Sequence, residues 1–175
     1  MTSPRPAREA IAMTAVRASK ALLVLLVALF CLLVGYNNIA DYGSNFEFTR
    51  HVLLMDTTFP GNRLMGRAIS SSLLHHAAYW LIIAGELVSG ALCLAGAIAL
   101  LRQLRSAAPA FARAKTLAVC GLTLGLVVWF FGFMTVAGEW FLMWQSPQWN
   151  GVESAFRFVV CIGVVLIYVA QNENT

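Results

Sequence analysis

Four long apolar blocks, separated by shorter stretches that hold nearly all of the charge, set the pattern of this chain. They run over about 21–39, 77–101, 116–137 and 155–170. Each approaches the ~20 mostly apolar residues with which a helix crosses ~30 Å of hydrocarbon while satisfying its own backbone. The fourth is the shortest. Residues 158–169 carry no charge, Tyr168 suits an interface, and Arg157 can reach outward to headgroups. The pattern predicts an all-α membrane protein, a four-transmembrane-helix bundle that forms a single integral membrane domain over residues 1–175.

Composition agrees and excludes a soluble alternative. The chain is 59% hydrophobic and 11% charged, whereas a water-facing surface is built from nearer ~25% charged residues. The net charge of +4 does not mark a nucleic-acid protein, because the basic residues flank apolar blocks instead of lining one face. They report orientation. Arg5, Arg8, Arg17 and Lys20 precede the first block, and Arg102, Arg105, Arg113 and Lys115 fill the 102–115 link. The other two links hold only Arg50, Arg63 and Arg67, with Arg157 at the edge of the fourth block. Both termini and the 102–115 link are therefore expected in the cytoplasm, and the 40–76 and 138–154 links outside. A cleaved leader is the competing reading of the N-terminus. The apolar run exceeds a usual leader core, and Leu33-Val34-Gly35-Tyr36 offers no small-x-small cleavage site, so the first block is expected to remain as a span.

The 40–76 link is long for a connection between neighbouring helices, and its aromatic and charged content predicts that it folds. Phe46, Phe48, Val52, Leu53, Met55 and Phe59 occur with no Pro or Gly before Pro60-Gly61. That spacing suggests a short helix at the membrane surface, capped by Asn45 and ended by Pro60-Gly61, with a second over 63–70. Asp41, Glu47, Arg50, His51, Asp56, Arg63 and Arg67 are near charge balance, which favours a tied-down cap over an ion funnel. In the 138–154 link, Trp140, Trp144 and Trp149 fit an interfacial aromatic belt, with Trp144 a candidate to line a ligand site.

Helices in lipid gain nothing from hydrophobic burial against one another, so small residues mark contact faces. Gly121 and Gly125 form a GxxxG, with Gly132 on roughly the same face, and Gly85 and Ser89 lead a small-residue face in the second block. These predict that the second and third spans form an antiparallel pair. Cys31, Cys93, Cys120 and Cys161 each lie in a different block with no CxxC, so they read as small apolar residues and not as a redox pair.

Glu86 is the most informative single residue, because an ionised acid near the middle of a span costs ~2.5 kcal/mol or more. It must face the bundle, be protonated, or reach water. Asn37, Asn38, Tyr79 and Arg157 are candidate neighbours, for either a proton or cation site or a structural interhelix hydrogen bond. His51, His75 and His76 are weak candidates for a metal or haem iron, since none lies deep in a span. No GxxxxGK[ST], HExxH or GxSxG occurs, and no cofactor is expected.

The strings NNIADYGSNF at 37–46, HVLLMDT at 51–57, EWFLMWQS at 139–146 and WNG at 149–151 resemble those of the bacterial predicted small integral membrane proteins, domain-of-unknown-function family 2165. The resemblance covers roughly 20–170 and supplies no catalytic residue. It implies a bacterial inner-membrane protein whose external links are characteristic. Asp41, Asn45, His51, Asp56, Glu139, Trp140, Trp144 and Trp149 then form a candidate cap or partner surface. The expected role is non-enzymatic, an accessory or assembly subunit in the bilayer beside a larger complex or further copies of itself, with no nucleic acid. The alternative is a small oligomeric transporter or channel centred on Glu86.

Overall fold

A computed structural model describes residues 5–172, and side chains from Arg8 onward; the side chain of Arg5 and the ends of both termini lie outside it. Helix α1 runs Arg5–Ala40, α2 Tyr42–Leu54, α3 Ser72–Arg102, α4 Ala108–Ala114, α5 Thr116–Leu126 and α6 Val152–Ala170, with a π-helical segment Val127–Trp140 continuing α5. Four helical stretches are long and apolar enough to cross a membrane: Arg8–Ala40, Ser72–Arg102, Ala108–Trp140 and Val152–Ala170.

These helices overrun the apolar blocks because helix geometry does not stop where hydrocarbon does. Pro6 sits in the first turn of α1, where its missing N–H costs nothing, and no Gly interrupts the helix before Gly35. Pro109 likewise opens α4, which occupies the link before the third block and meets α5 at Lys115.

Close approach organises the bundle. A methyl at Gly35 would stand 2.6 Å from Leu87 Cδ2, and one at Gly90 2.7 Å from Leu32 Cγ, so α1 and α3 lie nearly backbone to backbone. Gly96 meets the backbone of Ala118, Gly121 faces Cys93, and Gly125 faces Ser89 and Ile162. Ser89 Oγ donates to Gly121 O at 2.8 Å, a cross-helix bond made where hydrocarbon offers no other partner. The antiparallel pairing expected of the second and third spans is thus present. Gly85 joins it by facing Val128. Gly132 does not: a methyl there would meet only its own helix's Val127 carbonyl, at 3.8 Å. The ladder of the π segment, marked by Phe141 N to Val136 O at 3.0 Å, shifts the facing positions from the four-residue steps Gly121, Gly125, Trp129 and Phe133 to a five-residue step at the buried Gly138. Gly132 is carried off the contact face.

The bundle interior is apolar. Phe30, Trp129 and Phe158 form a ring trio with centroids 4.6–6.2 Å apart, surrounded by Val24, Ala28, Leu122 and Ile162. Cys31 and Cys93 are buried there as free thiols, while Cys120 and Cys161 are exposed on the outer surface.

At the end where basic residues gather, called here the basic end, Arg17, Lys20 and Lys115 are buried. Lys20 and Lys115 Nζ both donate to the Gln171 carbonyl just past α6, at 3.1 and 2.6 Å, where the helix dipole favours cations. Arg17 donates to the carbonyls of Leu104 and Ser106 and lies over the Phe111 ring.

Candidate functional site

Glu86 lies on α3 with 2% of its surface exposed, and Asn38 Nδ2 of α1 donates to its Oε2 at 2.7 Å. Asn38 is two residues from the end of α1, whereas Glu86 lies near the middle of α3, which runs on past it toward Ser72. Eighteen residues of α1 separate Asn38 from Lys20, ~27 Å of helix. Tyr79 Oη donates to the backbone carbonyl of Asn38, at 3.0 Å, so the same residue ties α3 twice. The other candidate neighbours do not arrive. Asn37 is exposed, and Arg157 is exposed and bonded to Glu153 one turn away on α6. Above this pair, the Tyr42 hydroxyl meets His76 Nδ1 at 2.7 Å, and Phe46 stacks on His76 with centroids 4.1 Å apart. Tyr42 touches Tyr79 only ring edge to face, and Tyr79 ends on a backbone carbonyl. These side-chain contacts therefore do not link Glu86 to His76 by a continuous relay of exchangeable protons.

The 40–76 and 138–154 links fold into one cap with its own core of Val52, Leu53, Met55, Phe141, Leu142 and Met143. Thr57 Oγ1 donates to the buried Ser146 Oγ at 2.7 Å, Trp149 N donates to the same oxygen at 2.8 Å, and Phe59 N donates to Gln145 Oε1 at 3.1 Å. His51 binds Asp56 at 2.8 Å through Nδ1 and stacks on Trp149, their centroids 4.7 Å apart. Arg50 forks onto Glu47 Oε2, and that hydrogen bond holds the Glu47 carboxyl below its ordinary range. Its contribution is present above that range and lost as pH falls through it.

The local helix differs from expectation in ways with clear causes. α2 begins at Tyr42, directly after a break at Asp41, so Asn45 is an exposed position inside the helix and caps nothing. It ends at Met55, whose φ of 53° turns the chain before Pro60-Gly61 is reached. The second helix reduces to a single 3-10 turn, Met65–Arg67. Asp41, Glu139, Trp140 and Trp144 are exposed on the cap, with Trp144 edge-on to Phe59 and Arg67 over Trp140. Thr57, Ser146 and Met143 join the cap without having been singled out; all three lie within the family-like strings, their only signal.

The three histidines have separate partners: His75 Nε2 bonds the Ile69 carbonyl at 2.7 Å, and His51 and His76 are held as above. Among the described residues no group of three or more His, Cys, Asp or Glu side chains is placed to hold a metal ion.

Ser146→Ala is expected to cost ~1–2 kcal/mol, since it removes the acceptor of the half-buried Trp149 N–H and Thr57 hydroxyl. Faster hydrogen exchange confined to the cap, with the spans unchanged, is the measurement that checks it.

A family model described as predicted small integral membrane protein, domain of unknown function 2165, matches residues 16–172. No curated protein and no solved structure matches the chain.

Proposed function

We propose, for a chain that belongs to this family of small integral membrane proteins, a non-enzymatic role as an accessory or assembly subunit of a membrane complex, presenting its cap to a partner. The observation that carries the reading is how Glu86 is held. It is sealed between α1 and α3 by Asn38, while the bundle axis is filled by Phe30, Trp129, Phe158 and Ile162. A carrier needs its ionisable group to exchange with water from each side in turn, whereas the described residues packed along that axis are apolar. A structural bond between helices needs what is present, one donor and one acceptor in hydrocarbon.

The setting is a bacterial inner membrane with both termini cytoplasmic. Its support is the gathering of Arg8, Arg17, Lys20, Arg102, Arg105, Arg113 and Lys115 toward one end and the family membership. The cap then faces outward, with Phe59, Leu64, Met65, Trp140 and Trp144 exposed on it or at its rim as the apolar contacts a protein partner would cover.

Glu86 substitutions test the reading. Glu86→Gln keeps an acceptor for Asn38 and is expected to preserve stability, partner copurification and cellular phenotype. Glu86→Leu strands the Asn38 amide and is expected to lower stability by ~1–3 kcal/mol. A stable Glu86→Gln protein with loss of phenotype and of proton-linked flux in vesicles would overturn the accessory role in favour of a transporter.

A further inference from the structure

A groove of about 370 Å³ opens on the outer side of the bundle between α2, α3 and the π segment. Its walls are apolar but for Thr49: Val52 and Leu53 from α2, Ala78 and Gly85 from α3, and Gly132 and Val136 from the π segment are among them. It is open sideways, since Leu81, Val127 and Phe131 on its lips are 75%, 48% and 57% exposed. The five-residue ladder creates it, by turning Gly132 away from the helix contacts and leaving no side chain there to fill the space.

Its place and size select the occupant. The groove runs beside α3 from Ala78 to Gly85, ~10 Å of a helix long and apolar enough to cross a membrane. A single hydrocarbon chain is narrow enough to enter. At the capped end the wall is Leu53 and Phe141. Arg67, outside the lining, is fastened to Trp140, the residue before Phe141: its Nη1 donates to the carbonyl of Trp140, and its guanidinium lies 4.4 Å from the Trp140 ring centroid. Its other nitrogens have no carboxylate partner among the described residues. A cation at interfacial depth above an apolar slot matches a phospholipid with an anionic headgroup.

We propose that this groove is a specific lipid site, holding one acyl chain of an anionic phospholipid with its phosphate on Arg67. The site does not depend on the accessory role or on which side of the membrane the cap faces. Native mass spectrometry of the delipidated full chain, titrated with dioleoylphosphatidylglycerol or dioleoylphosphatidylcholine, tests it. The wild type is expected to retain one phosphatidylglycerol about tenfold more tightly than phosphatidylcholine. Gly132→Leu, which fills the slot, is expected to weaken both lipids by about tenfold or more without lowering thermal stability. Ala78→Leu fills the same space from α3 should the first variant unfold. Arg67→Gln is expected to equalise the two lipids. A folded, slot-filled variant that binds as the wild type does, or an Arg67→Gln protein that keeps its preference, overturns the proposal. So does a wild type that emerges as a lipid-free dimer, which assigns the groove to a second copy.

Discussion

Gly96→Ala is expected to destabilise the bundle by ~1–3 kcal/mol through a single added methyl group. The methyl has no flexible neighbour to push aside. It would overlap the backbone nitrogen of Ala118, with the Ala118 Cα at 2.6 Å and its Cβ at 2.8 Å, so α3 and α5 must separate along their whole contact. That separation would also lengthen the Ser89–Gly121 bond two turns away. Gly163→Ala on α6 is the matched control, because nothing lies within 4 Å of the added carbon. It is expected to be neutral or stabilising by up to ~1 kcal/mol, the ordinary helix preference of Ala over Gly. Circular dichroism of both variants against rising SDS in mixed micelles separates them, and equal midpoints would refute the close packing of α3 on α5.

Arg17→Met is expected to have the larger effect, about 3 kcal/mol or more. One guanidinium nitrogen donates to Leu104 O at 3.1 Å and Ser106 O at 2.7 Å, and bonds from a charged donor are worth ~1.5–3 kcal/mol each. The guanidinium carbon also stands 4.7 Å from the Phe111 ring centroid, so its removal takes the packing of α4 with it. Arg17→Lys keeps the charge but loses the flat face against Phe111, and an intermediate loss is expected. Protease sensitivity of the turn 103–107 in vesicles reads the damage directly. A turn as resistant in Arg17→Met as in the wild type would show that this side chain does not fasten the basic end.

Hydropathy marked the four spans because it measures length and depth, the two quantities the bilayer constrains. It is nearly silent on rotation about a helix axis, since in lipid the outward face is as apolar as the inward one. Asn37 and Asn38 show the consequence. Adjacent in sequence and equal in polarity, they are separated by the turn of the helix, and only Asn38 reaches Glu86. Arg157 failed for the same reason, facing Glu153 on its own helix. Small residues do carry rotational information, and Gly121, Gly125 and Ser89 placed α5 on α3 correctly. Gly35 marks the α1–α3 contact in the same way, but an isolated glycine without a second at four-residue spacing does not stand out, and Gly90, among the small residues of α3, faces α1 instead of α5. The π segment was illegible because 127–140 has the composition of an ordinary span, and its ladder reflects tertiary packing. With it went the groove. In the cap, local signals gave the wrong helix ends: Asn45 and Pro60-Gly61 are sound cap and stop residues, but Asp41 and Met55 had already bounded the helix.

The cap has a place in time as well as in space. Its two halves, residues 42–69 and 140–152, are delivered by different helical hairpins, and the hydroxyl of Ser146 must meet a partner made 89 residues earlier. During synthesis the first half emerges alone, its apolar side chains waiting for a surface that does not yet exist. The cap closes only after the third helix has been threaded and the chain has turned toward the fourth. A closed cap therefore reports that the third helix is in place, before the fourth has been laid down.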